Sequence, residues 1–597
     1  MFQKIQRYFY TLSPLKPVQI YSRFFYFIKR KFWQLGPFKD ISRQAELLKT
    51  NLNLSDGNFQ FSFLDRNIEY KKNLISWTDA RNEKLWRYQL NYFDFLSDSS
   101  IESFSDQLFL FLDWIEKNPD DLSETWEPYP VSRRLCRWIF WIEKNEKQLQ
   151  KFAAYFELII ESMIYQARRL RLDIEDHLQA NHLFANLKAL FRISGFFLRF
   201  SASQIFSTSE PENPTAEFRR SFNLLESQEK FFKKLRSYSE NRLLIELTRQ
   251  ILPDGGHEER NPIYHKLMME DIAEIIDEAL LFPKSENLHL MAKTTHKKMF
   301  DWLLALSHPD GFPCLFGDSA LNAFPGADKP ISFSNKSFAE NNSLFPKSGL
   351  NETMNYHFFP DSGFFTINWE SGHYFAVNSG EAGPSHQPGH SHCDLLSFEL
   401  SVHKERLIVD SGCGSYQTPE IRKFCRSTLA HNVPFIEGTE QSDAWGEFRM
   451  GKKARLLLRE YSEEKIDGKV SFCCKIEDQN MNIFQRKIIF FNKRIKISDE
   501  LLERKSNGQF ISILHLYPGS SIIFSNDKKS VSIFSGIEKK ISIVFNASSE
   551  IFDSVYYPKF GKGIRNSGLK FFSIEKLGEK EFIEFEIVFE DVPAKGL

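Results

Sequence analysis

Residues 388–402 read PGHSHCDLLSFELSV, a cluster of polar side chains that runs into the alternating pattern of a β-strand. A strand is predicted from Leu395 to Val402, and from Phe398 to Val402 apolar and polar residues alternate as they do in a half-buried strand. The same pattern of period two recurs later in the chain, at residues 494–497, 530–533 and 582–586. Turn-forming residues separate such segments, which predicts stacked antiparallel sheets in the second half of the chain.

The first half of the chain has a different pattern. From about Asp56 to Leu306, apolar residues recur at steps of three and four, as in residues 106–117, 133–144 and 153–170. This periodicity predicts a long series of antiparallel helices, arranged as a toroid or solenoid. Residues 325–353, rich in Ser, Asn, Lys and Pro, are typical of a linker or long surface loop.

These patterns predict an α+β multidomain protein. We expect an aromatic and basic extension over residues 1–50, an N-terminal (α/α) toroid over residues 51–348, and a C-terminal antiparallel β-sandwich over residues 349–597.

Composition excludes several classes of protein. Lys and Arg number 77 against 78 Asp and Glu, so the chain lacks the basic excess of a nucleic-acid-binding protein. The seven Cys show neither a CxxC pair nor a disulfide framework. We find no transmembrane segment and no ordinary signal peptide. We therefore expect a soluble, cytoplasmic or membrane-peripheral protein whose aromatic-basic start packs on the main body or lies on a membrane surface.

The segment Asn181-His182-Leu183-Phe184-Ala185-Asn186 places two polar side chains in the first turn of a predicted helix. Backbone N–H groups at a helix start lack partners within the helix and attract anions. Asn181 and His182 are therefore candidates for binding an anion. The same spacing also suits an N-cap followed by an exposed first-turn residue.

Residues 254–265 read DGGHEERNPIYH, in which Pro262 predicts a helix start and places Tyr264 on the first turn. A Tyr at such a position is ordinarily a packing residue. Glu259 and Arg260 either pair to hold the loop or are solvated charges. Glu258 and Glu259 are adjacent, which is poor geometry for the carboxylate pair of a glycoside hydrolase.

On a strand, His390, His392 and Asp394 would point to the same face. Asp410 ends the next predicted strand and would return close to His392 in a hairpin. With His431 farther along the chain, this predicts a site for one divalent metal ion, zinc by preference, with the ligands His392, Asp410 and His431. A hydrogen-bonded His–Asp network is the alternative. No organic cofactor is predicted.

Taken together and in order, the segments NHLFAN, DGGHEERNPIYH, PGHSHCD, IVDSG and AHNV resemble the heparinase II/III family of polysaccharide lyases. The resemblance extends to Lys84-Leu85-Trp86 and Trp126-Glu127-Pro128-Tyr129 and covers residues 80 to 450. It implies an incomplete (α/α) toroid followed by antiparallel sheets, and β-elimination at a hexuronate.

The resemblance also implies a role for each candidate residue. Asn181 and His182 would neutralise the uronate carboxylate, while Tyr264 would be the acid, and in some substrate geometries also the base, beside the general base His390. The metal at His392, Asp410 and His431 would be structural. The candidates for contacting the carboxylated glycan are Arg133, Arg134, Glu259 and Arg260.

Two residues depart from the family pattern: Ala180 precedes Asn181 where relatives often carry a second polar residue, and Asn261 stands where Ser is common. The missing signal peptide is typical of relatives thought to serve surface-polysaccharide production, so heparin is not carried over as the substrate. The predicted partner is a uronate-containing polysaccharide or oligosaccharide; the oligomeric state stays open. A uronyl C5-epimerase and a non-catalytic glycan-binding or assembly protein of surface polysaccharide biosynthesis are the alternative functions.

Overall fold

The computed structural model describes residues 2–32, 38–97, 101–120, 123–201, 216–331, 354–464, 469–573 and 581–590. The chain forms two compact units. The helical unit comprises Lys16–Gln250 and Met268–His296, and the sheet unit comprises Met1–Leu15, Ile251–Leu267 and Lys297–Leu597. The domain boundaries after residues 50 and 348 stay predictions, and most of the expected linker, from residue 332 to 353, lies outside the described residues.

The helices within these residues are α1 (Phe2–Leu12), α2 (Pro17–Phe32), α3 (Lys39–Lys49), α4 (Lys84–Tyr92), α5 (Phe104–Lys117), α6 (Pro128–Lys144), α7 (Glu146–Leu149), α8 (Ala153–Leu172), α9 (Ala180–Ser201), α10 (Ala216–Gln250), α11 (Pro262–Leu280), α12 (Glu286–Ala305) and α13 (Pro419–Arg426). The three helical segments expected from periodicity lie inside α5, α6 and α8, so that prediction is confirmed. None of the described helices has the length and apolar character needed to cross a membrane.

The strands are β1 (Phe59–Phe63), β2 (Arg66–Tyr70), β3 (Met354–Phe359), β4 (Phe364–Trp369), β5 (Tyr374–Asn378), β6 (Phe398–Val402), β7 (Glu405–Ile408), β8 (Pro434–Ile436), β9 (Ala444–Trp445), β10 (Arg449–Met450), β11 (Arg455–Glu464), β12 (Lys469–Glu477), β13 (Ile483–Phe490), β14 (Arg494–Glu503), β15 (Phe510–His515), β16 (Ser520–Phe524), β17 (Ser530–Ser535), β18 (Glu538–Phe545), β19 (Ser548–Lys559), β20 (Lys562–Phe572) and β21 (Glu581–Phe589). The expectation of helix from Asp56 onward is wrong for β1 and β2, which form an antiparallel hairpin. Phe59, Phe61 and Phe63 alternate with polar residues and bury one face of β1, which explains the strand.

The sheet unit contains three large antiparallel sheets, with the strand orders β11-β12-β13-β14-β21-β18-β17-β16, β19-β20-β15-β8 and β3-β4-β5-β6-β7. The eight-stranded sheet packs against both others: Phe472 lies 5.3 Å from Phe365 of β4, and Phe484 lies 6.0 Å from Phe510 of β15 between ring centroids. Burial alternates along β12 and β14, so period-two sequence places their apolar side chains in this core. The predicted stacking of antiparallel sheets is confirmed.

Strand β6 corrects two predictions. It begins at Phe398, and Leu396 before it has a φ of 78°, so the expected strand from Leu395 begins too early. His390 and His392 therefore lie in irregular backbone and do not share one face of a strand. All of β6 is buried, which makes the expectation of a half-buried strand wrong as well, because its polar side faces other polar groups.

The buried polar side of β6 holds Glu399. Its carboxyl group lies 3.0 Å from His308 Nε2 and accepts a hydrogen bond from the Leu315 N–H at 2.5 Å, while His308 Nδ1 lies 2.7 Å from the Ser401 hydroxyl. Burial raises the pKa of Glu399 to about 8, although the positive charge of Arg406 acts to lower it. Burial also lowers the pKa of His308 well below its ordinary value. At neutral pH a protonated Glu399 therefore donates to a neutral His308.

We expect Glu399→Gln to remove a pH dependence of stability. Because the folded state keeps this proton up to a pKa of about 8 while the unfolded state loses it near 4.5, the stabilisation is complete below pH 4.5 and is lost as the pH rises through 8. In thermal unfolding across this range, the melting temperature of the variant relative to that of the wild type should increase as the pH rises. Parallel curves for the two proteins would contradict the protonated state.

Candidate active site

Tyr264 and His390 lie together in the sheet unit. Their rings stack with centroids 4.0 Å apart and planes inclined by 25°. Tyr264 occupies the first turn of α11, where the Asn261 side chain accepts hydrogen bonds from the N–H groups of Ile263 and Tyr264, each at 3.0 Å. Asn261 is thus the N-cap that places the tyrosine.

Asp318 stands behind His390 and was not among the residues singled out in the sequence. Its carboxylate lies 2.9 Å from His390 Nδ1 and 2.7 Å from His392 Nε2, and Arg422 binds both of its oxygens. The side chain is fully buried. Burial alone would raise the pKa of Asp318, but Arg422 and the two histidines outweigh it and hold that pKa well below its ordinary value.

The ionised Asp318 fixes the tautomer of His390. Since a carboxylate only accepts hydrogen bonds, the Nδ1–H of His390 donates to it, and Nε2 is left as the basic nitrogen. This is the arrangement by which a carboxylate orients a histidine that accepts a proton. Asp318 lies in the irregular segment Phe316-Gly317-Asp318-Ser319, which has no periodicity to single it out.

Tyr416 is a second residue that sequence reasoning missed. Its hydroxyl lies 2.7 Å from the Tyr264 hydroxyl, and the Arg422 guanidinium lies 4.9 Å from its ring centroid. Burial raises the pKa of Tyr416 well above its ordinary value, so this phenol stays neutral. A neutral hydroxyl here can donate to Tyr264 if that residue loses its proton. Its position shortly after the IVDSG segment was the available signal.

Asn181 and His182 lie in the helical unit, at the start of α9. Gln179 and Ala180, just before them, have φ values of 64° and 48°, which is strained for residues with a side chain. The His182 ring lies 4.5 Å from Tyr129, and its Nδ1 lies 3.1 Å from Glu175. Glu175 therefore orients His182. That this pair meets Tyr264 and His390 around one carboxylate stays a prediction.

The four predicted substrate-binding residues make internal contacts. Arg134 is buried in the helical unit, where it donates to Gln166 at 2.8 Å and covers Trp114 at 3.8 Å. Arg133 is also buried, 3.3 Å from Asp271. Asp271 offsets the charge of Arg133, whereas Nη2 of Arg134 is buried without a hydrogen-bond partner among the described residues. Glycan binding by either arginine stays a prediction.

Glu259 and Arg260 each contact other residues of the sheet unit. Glu259 is buried, with its N–H donating to His257 Nδ1 at 3.3 Å. Arg260 donates to the carbonyl groups of Glu381 and Gly383, at 3.0 and 3.1 Å. Arg260 therefore ties the start of α11 to the loop that leads to His390.

The predicted metal ligands are neighbours in the sheet unit. His431 Nδ1 lies 3.0 and 2.8 Å from the two Asp410 oxygens, and the rings of His392 and His431 are 5.3 Å apart between centroids. His392 Nδ1 and His431 Nε2 are buried without a hydrogen-bond partner among the described residues. Such imidazole nitrogens are donors that a zinc ion takes, while Asp410 contacts the other ring nitrogen of His431, Nδ1.

Two other groups of described residues bring three ligand atoms within 4.8 Å of one another, Asp318 with His392 and Cys413, and His308 with Cys314 and Glu399. The predicted set of His392, Asp410 and His431 does not close to that distance. In the first group Arg422 already neutralises Asp318, and in the second Glu399 is protonated, so both are satisfied as hydrogen-bonded clusters. The structure thus contains possible ligand groups and identifies no particular metal.

Comparisons with known proteins identify the class of enzyme to which the chain belongs. The models for the heparinase II/III N-terminus and the heparinase II/III-like C-terminal domain match residues 230–349 and 351–583. The chain belongs to the heparinase II/III family. This confirms the resemblance and the predicted enzyme class, a carbon–oxygen lyase acting on polysaccharides. Among curated proteins, none matches this chain.

Solved structures agree with this assignment. The chain is similar to heparinase III at a TM-score of 0.64 and 16% identity, over 92% of this chain and 85% of the other. It is also similar to the heparan sulfate lyase HepC from Pedobacter heparinus at a TM-score of 0.51 and 16% identity, over 97% and 88% of the two chains. These likenesses concern the fold, and they confirm the predicted toroid followed by a β-sandwich.

The N-cap of α11 can be tested with two substitutions at one position. We expect Asn261→Ala to lower the free energy of unfolding by about 1 kcal/mol, because the Ile263 and Tyr264 N–H groups lose their acceptor. Asn261→Ser keeps an oxygen acceptor for the cap but loses the amide's hydrogen bond to the Phe316 carbonyl, so it should lose less stability than Asn261→Ala. Denaturant unfolding measures both, and an equal loss in the two variants would show that the cap is not what Asn261 contributes.

Proposed function

We propose that this protein cleaves a uronic-acid-containing glycan by β-elimination. The observation that carries the proposal is the stacked pair of Tyr264 and His390, with Asp318 hydrogen-bonded behind the histidine and Tyr416 hydrogen-bonded behind the tyrosine. Removing a proton from carbon next to a carboxylate requires a base, an acid for the leaving oxygen and neutralisation of the carboxylate. The first two are supplied within this cluster.

In the proposed reaction, His390 Nε2 takes the proton from C5 of the uronate. The electron pair of that C–H bond forms the C4–C5 double bond, and the bond between C4 and the glycosidic oxygen breaks. Tyr264 gives its phenolic proton to the departing oxygen. Tyr416, whose neutral hydroxyl is 2.7 Å away, then donates to the tyrosinate and stabilises it. In some substrate geometries Tyr264 acts as the base as well.

Asn181 and His182 complete the proposal as the groups that neutralise the carboxylate. Neutralisation stabilises the enolate-like intermediate that forms when C5 loses its proton. Support comes from the helix start they occupy, where backbone N–H groups favour an anion, and from Glu175, which holds the His182 ring. Our proposed substrate is a glycan of the surface-polysaccharide type. Heparan sulfate is the substrate in the name of the related lyase HepC and is not part of this proposal.

The His392, Asp410 and His431 side chains are proposed to hold one divalent metal ion, zinc by preference. The metal would have a structural role, since it would cross-link the loop after α13 to β7 and to the segment before β6. Its support is the pair of buried ring nitrogens without partners among the described residues.

We expect Tyr264→Phe and His390→Ala each to lower turnover by about 10²- to 10⁴-fold, because each removes one proton-transfer group. The measurement is the near-ultraviolet absorbance of the unsaturated product from a panel of uronate polymers. Tyr517→Phe, at an exposed tyrosine, is the matched control and should keep full activity. Wild-type turnover in either site variant would remove that residue from the mechanism. Changed sugar configuration at constant chain length would identify an epimerase.

The metal proposal predicts that elemental analysis finds one divalent ion per chain and that His431→Ala loses it. Cys413→Ser and Cys314→Ser should retain the metal, since each belongs to one of the two alternative ligand groups. Loss of metal in a cysteine variant together with retention in His431→Ala would move the site to that group. A metal-free wild type would leave His431 and Asp410 as a hydrogen-bonded pair.

A further inference from the structure

Helix α2 in the helical unit exposes its apolar side chains, unlike an ordinary surface helix. Among the α2 residues whose burial the structure describes, the one buried side chain is polar: Gln19 donates to the His177 carbonyl oxygen at 3.4 Å, and the half-buried Tyr26 ring lies 4.4 Å from the His177 ring. Surface helices of folded proteins normally bury an apolar stripe and expose the polar one. Packing of α2 against the helical unit therefore does not account for its exposed apolar residues.

The outward face of α2 is formed by large apolar side chains. They follow the spacing i, i+1, i+4, i+7 and i+8, which keeps them on one side of the helix, and all are exposed: Ile20, Tyr21, Phe24, Phe27 and Ile28. Phe24 and Phe27 are 64% and 65% exposed. A contiguous aromatic face of this kind marks an interaction site on a protein surface.

Helix α1, which belongs to the sheet unit, has a face of the same kind. Arg7 binds Asp443 with two hydrogen bonds of 2.8 and 2.6 Å, and Tyr8 packs edge-on against Trp445. With these contacts made, Ile5, Phe9 and Leu12 are still exposed. The start of the chain therefore contains two helices that are each attached to their own unit and present apolar side chains outward.

Charge indicates what these faces bind. The whole chain is balanced, with 77 basic and 78 acidic residues, yet no acidic residue precedes Asp40. Seven basic residues fall in the first 35 positions, at 4, 7, 16, 23, 29, 30 and 31. Arg23 is exposed beside the apolar face of α2, and Lys29 is exposed near the end of the helix, where its ammonium group donates to the Leu172 carbonyl oxygen at 3.4 Å. Aromatic side chains flanked by cations, without any anion, match the boundary between the headgroups and acyl chains of an anionic bilayer.

We propose that α2 is a peripheral membrane-binding helix, which lies in the surface of an anionic bilayer with Phe24 and Phe27 inserted and Arg23 and Lys29 at the headgroups. This inference is independent of the lyase reaction, because none of these residues belongs to the catalytic cluster. It assigns a function to the aromatic and basic start of the chain.

The test is flotation of the full-length protein with vesicles. We expect binding to phosphatidylcholine vesicles that contain phosphatidylglycerol, at least about tenfold tighter than to phosphatidylcholine alone and weakened by salt. The double variant Phe24→Ser and Phe27→Ser should lose at least about tenfold in binding, because two inserted rings are removed. Arg23→Gln with Lys29→Gln should lose the preference for the anionic lipid.

A matched control is the double variant Leu280→Ser and Leu290→Ser on α11 and α12. These leucines are 69% and 63% exposed, close to the exposure of Phe24 and Phe27. It should bind vesicles like the wild type, and thermal unfolding should show that every variant is folded. Wild-type protein that fails to float with anionic vesicles would overturn the proposal. An equal loss of vesicle binding in the control variant would also overturn it. If the wild type does not bind vesicles and the Phe24→Ser and Phe27→Ser variant changes oligomeric state in sedimentation velocity, the face binds a second copy of the chain instead.

Discussion

The sheet-unit site depends on one buried carboxylate. Asp318 is fully buried, and its negative charge is stable there because Arg422 binds both oxygens while His390 and His392 each provide a further hydrogen bond. A buried carboxylate without partners would destabilise the folded protein, because its desolvation would not be compensated. Removing one partner would therefore lower the stability of the site. The Asp318 cluster therefore holds two histidines from one short loop in defined orientations.

This arrangement gives the two histidines separate roles. The ring of His390 stacks on Tyr264 with Nε2 left as the basic nitrogen, and the ring of His392 lies near that of His431 with Nδ1 unpartnered among the described residues. The proposed proton transfer and the proposed metal site thus share one anchoring residue. Arg422 also covers the ring of Tyr416, so the same guanidinium helps to place the hydroxyl next to Tyr264.

The regular parts of the molecule could be predicted from sequence, because periodicity reports directly which face of an element is buried. Apolar spacing predicted α5, α6 and α8, alternation predicted the stacked sheets, and Pro262 predicted the start of α11. The exceptions were β1 and β2, where a short alternating run was included in the helical region, and β6, whose polar residues face a buried polar cluster.

The site was only partly predictable for a related reason. Tyr264 and His390 stood out as chemical groups in unusual local sequence, whereas Asp318 and Tyr416 lie in irregular backbone and acquire their roles from contacts with residues distant in the chain. Arg134 was a candidate for contacting the glycan because it is basic. Its guanidinium is buried against Trp114 with a hydrogen bond to Gln166, a setting that residue type alone does not reveal.

The most direct measurement of the central claim is the turnover of Asp318→Asn on a uronate polymer, taken together with its thermal unfolding. An amide in this position can donate to His390 Nδ1 and would select the other tautomer, so we expect a folded protein that has lost about 10²- to 10⁴-fold in turnover. Folded protein with wild-type turnover would show that the carboxylate does not orient the base, and the proposed mechanism would have to be abandoned.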